Sequence, residues 1–96
     1  MLDFEPRNTY EVEVTDTFGG EANYCWVNRY EFSLPLNDAE GHAARKAYDR
    51  RIVAEAKRLA GWTGLKCATS PMGCGFEVRP VGRTAPCWIM FINYKD

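Results

Sequence analysis

Between residues 9 and 17 apolar and polar side chains alternate, with Tyr10, Val12 and Val14 on one face and Glu11, Glu13 and Thr15 on the other. A period of two predicts a half-buried strand. Phe18-Gly19-Gly20-Glu21 is a turn signal, because paired glycines supply the positive φ that a tight hairpin requires. Residues 22–34 then form a second predicted strand, with Tyr24, Trp26, Tyr30, Phe32 and Leu34 on one side. Centring the loop on Gly20 pairs Tyr10 with Tyr30, Glu11 with Arg29 and Glu13 with Val27. A slip of one residue would mix glutamates with aromatics, which favours this register. It leaves Glu13, Glu31, Asp16 and Glu21 without a local partner.

Pro35 ends the second strand, and Asn37-Asp38-Ala39-Glu40 has the form of a capping box. A helix is predicted over residues 38–60. At 100° per residue Ala44, Tyr48, Ile52, Ala56 and Leu59 share a stripe that should pack on the sheet. Lys46, Arg50 and Lys57 lie nearly opposite, with Arg51 and Arg58 along one flank. Gly61 is the expected stop. Three shorter strands follow, over 65–70, 76–80 and 87–94, separated by Pro71-Met-Gly-Cys-Gly75 and Val81-Gly-Arg-Thr-Ala-Pro86. The last is apolar on both faces, so it is either central in its sheet or covered by a partner, a second copy of the chain included. The expected fold is α+β: one domain over residues 1–96, a single antiparallel sheet with one helix on one face, in the order ββαβββ.

Composition fits one core and no more: 96 residues, 46% hydrophobic, with 3 Trp, 5 Tyr and 5 Phe as its bulk. No apolar run reaches the ~20 residues of a membrane span. The first residues lack the basic-then-apolar order of a signal peptide, so a soluble intracellular protein is expected, with no membrane partner.

Charge changes the picture more. The formal net charge is -1, yet residues 1–41 carry nine acids against two bases, and residues 42–96 carry ten bases against four acids. Such a division is information about partners, unless the two signs neutralise each other across the fold. Carboxylates at alternate strand positions stand ~7 Å apart, close to the spacing of nucleic-acid phosphates. Glu11, Glu13, Asp16, Glu21 and Glu31 therefore form a candidate partner-binding surface that imitates phosphates. The alternative surface is the basic helix face of Lys46, Arg50, Arg51, Lys57 and Arg58, suited to a nucleic-acid backbone.

Chemistry beyond binding finds little support. Cys25, Cys67, Cys74 and Cys87 include no C-x-x-C pair, and His42 is the one imidazole, so thiols are expected in place of a metal site. Cys74 between two glycines has the setting of an exposed thiolate, but a surface histidine and a free thiol are the commoner case. Neither Gly19-Gly20 nor Gly73-Cys-Gly75 sits between a strand and a helix N-terminus, as a phosphate loop would. No catalytic residue, metal or cofactor is expected.

The run Thr15-Asp-Thr-Phe-Gly-Gly-Glu-Ala-Asn-Tyr24, followed by Trp26-Val27 and Arg29, resembles a motif of small proteins borne by bacteriophages, prophages and plasmids. The likeness covers residues 10–34, with an echo at Gly61-Trp-Thr-Gly-Leu65; Cys25 stands where a serine is expected. The resemblance implies a setting, the cytoplasm of a bacterial host, and brings no functional residues with it. Small proteins of that setting include anti-CRISPR proteins, which act by stoichiometric binding. By that analogy the chain is expected to be a non-enzymatic inhibitor occupying the nucleic-acid-binding surface of a CRISPR effector subunit. The acidic hairpin would supply charge, and exposed Trp62 or Trp88 the anchors. The alternative is a small nucleic-acid-binding or regulatory protein using the basic helix.

Overall fold

The structure is a computed structural model and describes residues 7–35, 41–73 and 75–95. Its elements are β1 (Arg7–Phe18), β2 (Glu21–Pro35), α1 (His42–Leu59), β3 (Cys67–Met72), β4 (Gly75–Pro80) and β5 (Trp88–Lys95). The strands form one antiparallel sheet in the order β2-β1-β5-β4-β3, with the helix on one face, as the hydrophobic pattern predicts.

Strand β5 is central, which accounts for its apolar residues on both faces. Val12 pairs with Ile92 and Val14 with Met90, and all four are buried on the helix side with Tyr10, Phe32, Leu34 and Val78. Each such side chain contributes about 1.5–3 kcal/mol of burial. Tyr10 stacks on Phe32 at 5.3 Å and meets Tyr94 edge-on at 5.9 Å. Burial, then the hydrogen bond with Tyr48, raises the Tyr10 pKa far above the ordinary phenol range.

The helix presents the expected stripe. Ile52 and Ala56 are buried, and Ala44, Tyr48 and Leu59 half-buried. The Tyr48 hydroxyl donates to the Pro35 carbonyl at 2.7 Å and accepts from Asn8 Nδ2 at 3.3 Å, tying the helix to the far end of the hairpin. At its other end Gly61, at φ +77°, reverses the chain. The Gly61 N–H donates to the Arg58 carbonyl and the Trp62 N–H to that of Lys57, which satisfies carbonyls otherwise orphaned at a helix end.

Three expectations are corrected. The helix begins at His42, not near residue 38, because Gly41 at φ +103° is not helical; the capping box at Asn37 and Glu40 lies outside the described residues. Strand β3 extends through Pro71 and Met72, which had been assigned to a connector, since its pairing with β4 continues to Met72 opposite Gly75. A Cβ on Gly75 would stand 1.8 Å from the Ile92 carbonyl oxygen, so only glycine fits this close strand crossing.

The third correction is to the hairpin register. Phe18 pairs with Glu21 around a two-residue Gly19-Gly20 turn, but beyond Thr15 the pairing moves: Glu11 faces Glu31, and Glu13 faces Arg29. Between these registers β2 spends residues 23–26 opposite Asp16 alone, a bulge that no apolar alternation announces. Relative to the predicted register, the pairing from Arg7 to Thr15 is displaced by two residues, which preserves parity, so Tyr30 and Phe32 still share the face of Tyr10 and Val12.

Candidate functional site

The corrected register decides what the acidic surface is. Glu11, Glu13 and Glu31 share the sheet face turned away from α1. Like charges opposite each other, as Glu11 and Glu31 are, repel. Lys95 on β5 answers both: its Nζ lies 2.7 Å from Glu31 and 3.4 Å from Glu11, and the Glu31 hydrogen bond, then its charge, raises the lysine pKa. Arg29 lies 3.4 Å from Glu13. On β4, Glu77 and Arg79 pair at 3.1 Å. The acids that the sequence left unpartnered on this face thus have basic neighbours, and signs alternate across it. Exposed pairs of this kind are worth about 0–1 kcal/mol each, so their main effect is on the surface potential.

Asp16 and Glu21 sit instead at the hairpin tip. Asp16 is the hub of the bulge: its carboxylate accepts from Asn23 Nδ2 at 2.9 Å, from the Cys25 N–H at 3.0 Å and from the Thr15 hydroxyl at 3.3 Å. These bonds, that of Asn23 first, hold its pKa below the ordinary aspartate value. The buried Thr15 hydroxyl also lies 2.7 Å from the Trp26 carbonyl and can donate to it. Tyr24 takes the left-handed conformation at φ +58° and turns outward, contrary to its predicted inward place. Arg79 donates to the Gly20 carbonyl at 2.5 Å, fastening the tip to β4. Phe18 at the tip is 80% exposed.

The basic helix face stays basic. Residues 42–59 hold six bases and two acids. Lys57 donates to the Leu65 carbonyl at 2.7 Å, and Arg58 is bound to Glu55, so two of the five predicted cations have structural duties. Lys46, Arg50 and Arg51 are exposed and make no ion pair among the described residues; Arg45, absent from the sequence-based set, joins them on the surface. Arg50 and Lys57 line a groove of about 340 Å³ where the helix meets Thr69 and Phe76.

One cluster escaped the sequence altogether. Trp62, expected to be exposed, is only 4% exposed and stacks on Trp88 at 5.8 Å with planes 24° apart. Trp26 meets Trp88 edge-on at 6.4 Å. The three border an open recess of about 140 Å³, completed by Val14, Asn28, Tyr30 and the Ala60-Gly61 turn at the end of α1. Trp26 and Trp88 are each 37% exposed. Their convergence depends on the bulge and the helix stop, which carry no common periodicity.

Among the described residues no group of His, Cys, Asp or Glu has the clustering of a metal site. Cys25, Cys67 and Cys87 are free thiols, and burial raises the pKa of Cys67. Cys74 lies outside the described residues. His42 is exposed at the helix start. No described helix is long and apolar enough to cross a membrane. Comparison with protein-family models, with curated proteins and with solved structures found no match.

Proposed function

We propose that this protein is a non-enzymatic binding protein that holds a nucleic acid on the basic face of α1. The observation that carries the reading is the contrast between the two charged surfaces: signs alternate on the outer sheet face, whereas Lys46, Arg50 and Arg51 stand exposed on a helix with six bases against two acids. At 1.5 Å per residue the helix is about 27 Å long, enough to follow several phosphates. Each phosphate neutralised releases counterion, so the affinity must fall with salt. Titrating labelled DNA and RNA oligonucleotides across a salt series by fluorescence anisotropy tests it. The expected log–log slope is about -2 to -4, and Arg50→Glu with Arg51→Glu should weaken binding at least about tenfold. Salt-insensitive or absent binding overturns the reading.

A second reading keeps the hairpin as a contact for a protein partner, with an anti-CRISPR inhibitor in a bacterial cytoplasm as its concrete form. It is favoured by the exposure of Phe18 beside Glu21 at a tip that Asp16 and Arg79 hold in place, and by the half-exposed carboxylates of Glu11 and Glu31. A rigid aromatic beside acids suits a basic protein groove.

A further inference from the structure

We infer that the recess between Trp26, Trp62 and Trp88 is a stacking site for one unpaired base, so that the nucleic acid this protein holds is single-stranded where it leaves the helix. The inference rests on the reading of α1 as the nucleic-acid surface and adds the class of ligand. The recess opens at the end of the basic helix: the Trp62 N–H bonds to the Lys57 carbonyl at 2.7 Å, one turn from Arg58. A strand tracking Lys46, Arg50 and Arg51 toward the C-terminal end of α1 therefore arrives at it.

Its lining excludes other occupants. At about 140 Å³ it is smaller than the ~300 Å³ at which sites for whole cofactors begin, so it admits one planar group. No carboxylate lines it, and the nearest in the sheet register, Asp16 opposite Trp88, is engaged by Asn23 and Cys25. The helix contributes only the uncharged Ala60-Gly61 turn to the lining, so no anionic group is at hand to balance a cationic guest. What remains is a flat, apolar group carried on a polyanion. Trp62 is locked by burial, Trp88 stacks on it with an offset, and Trp26 meets Trp88 edge-on, an arrangement with exposed indole surface already held in place. The Asn28 side chain at the rim can donate to or accept from a base edge. A duplex keeps its bases stacked on one another, whereas a single strand can turn one out onto an aromatic face.

The test uses a 15-nucleotide oligothymidylate and a duplex of equal length, read by anisotropy and by intrinsic tryptophan fluorescence. The single strand should bind more tightly than the duplex and quench the fluorescence. Trp88→Ala should reduce single-strand affinity about 5- to 100-fold with little change for the duplex, and Trp88→Phe, which keeps a ring and the fold, should recover most of it. Equal binding of both forms without quenching, still abolished by Arg50→Glu with Arg51→Glu, overturns the stacking site and leaves the helix reading standing. Absence of binding to either form overturns both.

Discussion

The two faces of the sheet are built from the same alternating strands and differ in what neutralises them. On the helix side Val12, Val14, Val78, Met90 and Ile92 exclude water and the structure is held by burial. On the outer side Glu11, Glu13, Glu31 and Glu77 are interleaved with Arg29, Arg79 and Lys95. The difference teaches that a charge division along a chain need not survive folding. One of the bases that neutralise the acidic hairpin, Lys95, comes from the positively charged half of the sequence, while Arg79 pairs with Glu77 on its own strand. The sheet brings opposite signs together on the outer face, while α1, whose stripe is needed for the core, keeps its excess facing solvent.

The strongest way to break this contrast is on the dry side. Ile92→Ala should cost about 2–5 kcal/mol in urea denaturation, because Ile92 is fully buried between β1 and β4 partners. On the outer side, reversing Glu11 and Glu13 to Lys should change stability by less than about 1 kcal/mol by the same assay, since these pairs are solvated. That variant also decides between the two functional readings: pull-down of a CRISPR effector by the native chain and loss of capture by the folded variant would favour the hairpin. Unchanged nucleic-acid affinity in the variant would favour the helix.

The smallest effect lies at the tip. Asp16 has a lowered pKa in the folded protein, so its hydrogen bonds stabilise the bulge fully above the ordinary aspartate pKa of 3.8 and are lost as pH falls through the depressed value. In an acid titration followed by NMR, the Cys25 amide should still hold its downfield position at pH 3.8 and lose it only at lower pH, while core resonances stay native. A tip that moved in step with the core would show that Asp16 does not hold it.

Much of the fold was legible because periodicity carries it. The alternation at 9–17 and the 3.6-residue stripe from Ala44 to Leu59 predicted the sheet and the packed helix face, and the doubly apolar β5 was expected to be either central or covered by a partner, of which the sheet order shows the first. The site was less legible. Away from the bulge, a two-residue shift of register keeps each apolar residue on its own face, so alternation cannot distinguish Glu11 facing Arg29 from Glu11 facing Glu31. The shift comes from a bulge specified by polar bonds, those of Thr15, Asp16 and Asn23, whose partners are backbone atoms as much as side chains. Trp62 was misplaced for a related reason: following a helix stop, its direction is set by the Gly61 reversal and by Trp88, residues remote from any periodic pattern.

The central place of β5 sets a schedule for folding. During synthesis the hairpin of β1 and β2 and the ribbon of β3 and β4 can each form on emergence, yet the strand that joins them is made after all four. Until then both carry an unpaired inner edge with apolar side chains bare, the kind of template that invites pairing with another chain. Assembly of the whole sheet therefore waits on long-range closure, and a nascent chain paused before Trp88 should be the species that chaperones must shield.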